Sequence, residues 1–155
     1  MRGHREIDHT ADLGFDAAVN YRTEDVVAAI GAACPDGVDV FFDNVGGDIL
    51  EAGLHHLALR GRVVLCGAIA TYNDAGPRPG PSNLTNLIGQ RGRMEGFIVL
   101  DYLDRFAEAA LQLGTWVAEG RLQYEVDVVD GLERAPDALD RLFTGANTGK
   151  MLVRL

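Results

Sequence analysis

Two apolar runs constrain this chain more than any other feature. Val38–Val45 (VDVFFDNV) and Gly61–Ala68 (GRVVLCGA) each hold apolar residues on both faces, and each gives way to small, backbone-permissive residues. A strand apolar on both faces belongs inside a parallel sheet that helices cover from either side. Between the two runs, Gly47–Leu59 sets Ile49, Leu50, Leu54 and Leu57 near one stripe of a helix. Strand, helix, strand is the order of a parallel sheet joined by crossover helices.

The remaining segments extend that pattern. Asp16–Tyr21 (DAAVNY) reads as a short strand, and Thr23 as the N-cap of the helix VVAAIGAAC, with Glu24 and Asp25 in its first turn. Pro35-Asp36-Gly37 is a turn. Ile69–Gln90 is rich in Pro, Gly and Asn and reads as a long loop, a feature that is often functional in small domains. Arg93–Val99 is a further strand, and Leu100–Gly120 a helix with Leu103, Phe106, Ala110, Leu113 and Val117 at helical spacing. Tyr124–Val129, Leu132–Phe143 and Lys150–Leu155 read as strand, helix and closing strand.

Composition narrows the function. A chain of 155 residues, 47% hydrophobic, suits a single domain with a real core. A net charge of −9 argues against a nucleic-acid partner, which needs a basic face. Cys34 and Cys66 lie far apart, which fits neither a disulfide framework nor a zinc site. No apolar run reaches the ~20 residues that span a bilayer. MRGHREIDHTAD has no apolar signal region, so a soluble cytoplasmic protein without a membrane partner is expected.

In parallel sheets, ligands bind outside the carboxyl ends of the strands. Those ends carry Asn44-Val45-Gly46-Gly47, Cys66-Gly67-Ala68 and Phe97-Ile98-Val99. Glycine lets a flat ligand approach the backbone closely, and Asn or a main-chain amide supplies hydrogen bonds. Taken singly, each glycine is explained by a tight turn; three strand ends in succession point to a site. His55 and His56 are adjacent on a helix, point in different directions and cannot form a ligand pair.

From Leu13 to Leu155 the chain resembles the carboxyl-terminal part of the prostaglandin reductase and alkenal reductase branch of the medium-chain dehydrogenase/reductase superfamily. LGFDAAVNYRTED, FFDNVGGDILE, GRVVLCGAIATYN, RMEGFIVLDY, EGRLQY and GANTGKMLVRL carry the resemblance, in family order and at family spacing. It implies a zinc-independent, NADP-dependent reduction of the C=C bond of α,β-unsaturated ketones or aldehydes, with no bound metal. It puts Tyr21 near the adenosine end of the cofactor, Asn44 beside a ribose, and Cys66, Gly67 and Ile69 along the cofactor wall. Phe97, Ile98 and Val99 would frame the nicotinamide, and Asn147 would reach the cofactor from the far side. Tyr72 is either the hydrogen-bond donor to the substrate carbonyl or a loop aromatic without chemistry. The family also implies a homodimer through the edge near RMEGFIV.

The expected fold is therefore α/β, a partial Rossmann-like doubly wound parallel sheet without its first strands and glycine-rich turn. No G-x-G-x-x-G-like turn precedes a helix in these residues. In the strand order 3-2-1-4-5-6 the absent strands sit between DAAVNY and VDVFFDNV, which leaves an apolar edge exposed to association. Three segments are expected: a leader at 1–12, the partial nucleotide-binding domain at 13–120, and a segment at 121–155 that in the family packs on the catalytic domain. HREIDHTADLGF also resembles the start of archease, where Asp12 would bear on metal binding, but the remainder of the chain shows nothing of that family. The rival to a reductase is a non-catalytic remnant that binds nucleotide weakly or acts only within an oligomer.

Overall fold

Residues 14–72, 75–76 and 79–155 are described by the computed structural model. The leader, Asp12 included, and Asn73 lie outside the described residues. Asp16–Tyr21 is not a strand: 17–20 have no regular structure and Tyr21 opens a turn. Asn20 explains this locally. Its carbonyl accepts the N–H groups of Thr23 and Glu24, and its own N–H donates to the Glu24 carboxylate at 2.6 Å. The chain is thereby turned before the helix begins, and the cap moves from Thr23 to Asp25. The Asp25 side chain accepts the Ala28 N–H at 3.1 Å to start α1, Val26–Ala33.

Val38–Asp43 (β1), Gly47–His55 (α2) and Leu57–Leu65 (β2) form the expected strand, helix, strand unit, and Arg93–Gly96 adds β3. All pairings are parallel, in the order β1-β2-β3. Asp43 pairs with Leu65, and Leu65 with Gly96, so the three strands finish in one row. Between Val38 and Val40 the register shifts, because β2 spends extra residues around Arg60, whose φ is +62°, and Gly61. The α2 helix ends earlier than its apolar pattern suggests, since Leu57 and Leu59 already belong to the next strand.

The core sits on one face of this sheet. Leu50 and Leu54 of α2 pack with Leu57 and Val63, and Phe41, Leu65, Leu87 and Met94 close around them. Leu87 arrives on a short helix, α3, Asn86–Gln90, inside the segment read as a loop. That segment is fastened to the carboxyl-terminal half of α2. Asn83 donates its side-chain amide to the Glu51 carbonyl at 2.8 Å, and Asn86 donates to that of Leu54 at 3.1 Å. The Ser82 backbone N–H donates to the Glu51 carboxylate and, with its hydroxyl, holds the pKa of that carboxyl below its ordinary value. His56 tethers the other side, its ring Nε2 donating to the Val27 carbonyl at 2.7 Å, while His55 stays exposed.

The expectation that helices cover both faces fails for β1. Val40 and Phe42 are 57% and 55% exposed, because α2 and α3 both fall on the side of Phe41.

A division in the chain separates the part ending at Leu103 from a second unit, Asp104–Leu155. The predicted helix from Leu100 begins as a 3₁₀ segment, Val99–Arg105, kinked at Tyr102, before α4, Phe106–Ala118. Its apolar stripe is uncovered: Phe106 and Leu113 are each more than two-fifths exposed. Val126–Asp130 (β4), Ala135–Thr144 (α5) and Lys150–Arg154 (β5) make a second parallel unit around Val129 and Ala138. There Arg141 donates to the Asp127 carboxylate at 2.6 Å, and the same carboxylate oxygen accepts the Thr148 N–H.

Leu54 is fully buried at the centre of the first core. Replacing it by alanine is expected to cost about 3 kcal/mol, from lost transfer energy and the cavity left behind. Urea denaturation of the two proteins measures the difference.

Candidate functional site

Each of the three strand ends turns away from the sheet by a different local device. After β1, the Asp43 carboxylate folds the chain back on itself. One oxygen accepts the Val45 N–H at 2.8 Å, and both accept the Gly46 N–H at 3.1 Å. This is an Asx-type turn. Gly46 then leaves it with φ at +73°, a conformation that costs other residues a Cβ clash, and Gly47 begins α2. After β2, the N–H groups of Cys66 and Gly67 donate to the Asp43 carbonyl at 2.8 and 3.2 Å. After β3, the Phe97 N–H donates to the Leu65 carbonyl, extending the ladder by one bond.

These ends enclose an open groove of about 570 Å³. Leu50 and Leu65 form its floor; Gly46, Gly67 and Gly96 lie where the strands stop; Tyr72, Phe97 and Ile98 stand around it. A Cβ built on Gly96 meets nothing within 4 Å, so the backbone there faces open space. On Gly67 the same atom would lie 3.1 Å from the Asn44 carbonyl oxygen and 3.3 Å from the Tyr72 hydroxyl. Phe97 is held edge-on to Phe42, with ring centroids 6.0 Å apart, and tilted against Tyr102 at 5.3 Å.

Tyr72 follows a 3₁₀ turn, Ile69–Thr71, that is bonded to the first loop: the Ile69 and Ala70 N–H groups donate to the carbonyls of Asn44 and Val45. The Tyr72 hydroxyl oxygen accepts the Ala68 N–H at 3.1 Å. A phenol that accepts in this way keeps its own proton to donate. No lining residue is basic, and the charged groups are the Asp43 and Asp101 carboxylates. The groove thus suits a flat, uncharged surface, and its lining offers a phosphate no cationic partner.

Of the residues named from the sequence, Cys66, Gly67, Tyr72, Phe97 and Ile98 line this one groove. Asn44 adjoins it through its backbone, while Ile69 and Val99 are not among the lining residues and are largely exposed. Tyr21 borders a second hollow, of about 430 Å³, with Asp25, Asp48 and Ala70; Gly46 belongs to both. Asn147 belongs to the second unit, where its side-chain amide donates to the Gly149 carbonyl at 2.8 Å. Sequence reasoning missed Asp43, Gly96, Asp101 and Tyr102. An Asp ending a strand two residues before a Val-Gly carried a turn signal that could have found the first. Among the described residues, no group of three His, Cys, Asp or Glu side chains is placed to hold a metal ion.

Known proteins resemble this chain in sequence and in fold. The YfmJ protein of Bacillus subtilis is 46% identical over 151 residues, covering 93% of this chain and 43% of the relative. The 2-alkenal reductase (NADP(+)-dependent) of Nicotiana tabacum is 44% identical over 142 residues, covering 91% of this chain and 41% of that enzyme. The crystal structure of CurA from Vibrio vulnificus in complex with NADPH superposes with a TM-score of 0.84 at 36% identity, over 94% of this chain and 45% of that one. The chain thus spans less than half the length of these relatives. A family model for zinc-binding dehydrogenases matches residues 13–153, and the chain belongs to that family.

Proposed function

We propose that the chain is the nucleotide-facing part of a zinc-independent, NADP-dependent oxidoreductase that reduces the C=C bond of α,β-unsaturated ketones and aldehydes. One observation carries the reading: three parallel strands end in one row, and glycines at or just beyond their ends line a single groove. The names of the tobacco alkenal reductase and the NADPH complex of CurA support the choice of cofactor and substrate.

The apolar floor and the lack of a basic lining residue fit the nicotinamide end of the cofactor, not its phosphates. Phe97, Ile98 and Val99 would frame the ring, with Phe97 stiffened by Phe42 and Tyr102. Cys66, Gly67 and Ile69 would form the wall, and Asn44 would meet a ribose. Tyr21, in the hollow that shares Gly46, would lie towards the adenosine. NADPH held there would supply a hydride to the β-carbon of the substrate, and negative charge would gather on the substrate carbonyl oxygen. Tyr72, whose hydroxyl is fixed by the Ala68 N–H, would donate a hydrogen bond to that oxygen.

A second reading has support of its own. The uncovered Val40 and Phe42 favour a chain that binds nucleotide weakly by itself, or works only within an oligomer. β3, which has β2 as its one neighbour among the described residues, is the edge through which a homodimer would form.

Gly96→Leu separates site from scaffold, since the new side chain would enter open space. It is expected to weaken NADPH binding about tenfold or more while moving the melting temperature by no more than about 3 °C. NADPH fluorescence titration and thermal melts read the two effects, and unchanged binding by the variant would refute the site. The chain alone is expected to show no NADPH oxidation with a 2-alkenal, because it carries no glycine-rich phosphate turn. Steady turnover in that assay would exclude the non-catalytic reading. For the dimer, light scattering is expected to give twice the chain mass; a monomer mass counts against it.

A further inference from the structure

We infer that Asp43 is the positioning residue of this groove: its carboxylate holds the loop that in turn holds Tyr72. The inference deepens the reading above and rests on it for the groove's purpose. Asp43 is the one buried charged residue among the described residues, 1% exposed. A carboxylate taken out of water is tolerated only where other donors replace that water. Here the donors are the backbone N–H groups of Val45 and Gly46.

The network continues in both directions. Through its own carbonyl, Asp43 receives the Cys66 and Gly67 N–H groups, so one residue ties the exit of β1 to the exit of β2. The loop fixed by the carboxylate then offers the Asn44 and Val45 carbonyls to the Ile69 and Ala70 N–H groups. The turn so held delivers the Tyr72 hydroxyl to the Ala68 N–H, beside Gly67. Asp43 touches no substrate in this scheme; it acts through the backbone.

An amide would substitute for the acid only in part, since one oxygen could still accept the Val45 and Gly46 N–H groups. The Gly46 N–H lies 3.1 Å from both oxygens, so in asparagine one of the two positions would become an NH₂ facing another donor. The turn would lose part of its fastening while side-chain volume stayed constant. The effect should therefore travel to residues 69–72, which Asp43 does not contact through its side chain.

Hydrogen–deuterium exchange of the 155-residue chain, read by mass spectrometry, tests this on wild type and Asp43→Asn. In a folded variant, amides at 45–46 and at 69–72 are expected to exchange about tenfold faster or more, and NADPH fluorescence titration is expected to show weaker binding. A variant with a lower melting temperature but unchanged exchange at 69–72 would overturn the proposal, because a merely structural aspartate would behave so. If Asp43→Asn does not fold, wild type decides. Protection of the Val45 and Gly46 amides supports the carboxylate bonds, and exchange at the open-chain rate overturns them. Absence of NADPH binding by wild type would sink the nucleotide reading alone, since the exchange result stands independently of it.

Discussion

Everything in the first unit depends on three parallel strands being held level. Hydrogen bonding from β2 to neighbours on both sides fixes the heights of Asp43, Leu65 and Gly96 relative to one another. If one strand sat two residues higher, its exit loop would stand over the groove instead of beside it. The apolar core beneath supplies most of the driving force. Leu50 and Leu54 of α2 close over Val63 and Leu57, burial worth roughly 1.5–3 kcal/mol for each large side chain.

The polar interactions work at the margins of that core. Asn83, Asn86 and Ser82 bind the irregular segment before α3 to the last turn of α2. Asn86 meets a terminal carbonyl that the helix leaves without a partner, and together these bonds bring Leu87 onto the core. In the second unit the Asp127 carboxylate does a similar service, joining Arg141 of the helix to Thr148 of the loop that carries Asn147. In both places a buried or half-buried polar group secures a loop whose sequence alone gives it no regular form.

Much of this was legible in the residues, for identifiable reasons. The runs around Phe41–Phe42 and Val63–Val64 read as parallel strands because apolar residues on both faces suit a sheet between helices, although in β1 the face of Val40 and Phe42 stays exposed. Glycine at their ends pointed to the groove. What escaped was set by contacts far apart in sequence or by competing local bonds. DAAVNY reads as a short strand, yet the Asn20 turn and the lack of a pairing partner among the described residues leave it irregular. The α3 helix hides in a Pro/Gly-rich stretch because Asn83 and Asn86 answer to α2, more than thirty residues upstream. Asp43 looked like a polar stop to a strand; its burial and its two acceptor atoms emerge only when the turn is built.

Gly61 gives the sheet a pin. A Cβ at that position would come within 2.8 Å of the Val38 carbonyl oxygen and 2.7 Å of a Leu57 methyl, so no neighbour in the chain can slide into its place. A slip by one residue would also turn the core side chains of this sheet outward. Here a slipped alignment meets a steric wall at the middle of β2, four residues before the end that matters. Accuracy at the end of the strand is thus secured from its middle, beside a bulge that lies away from the groove.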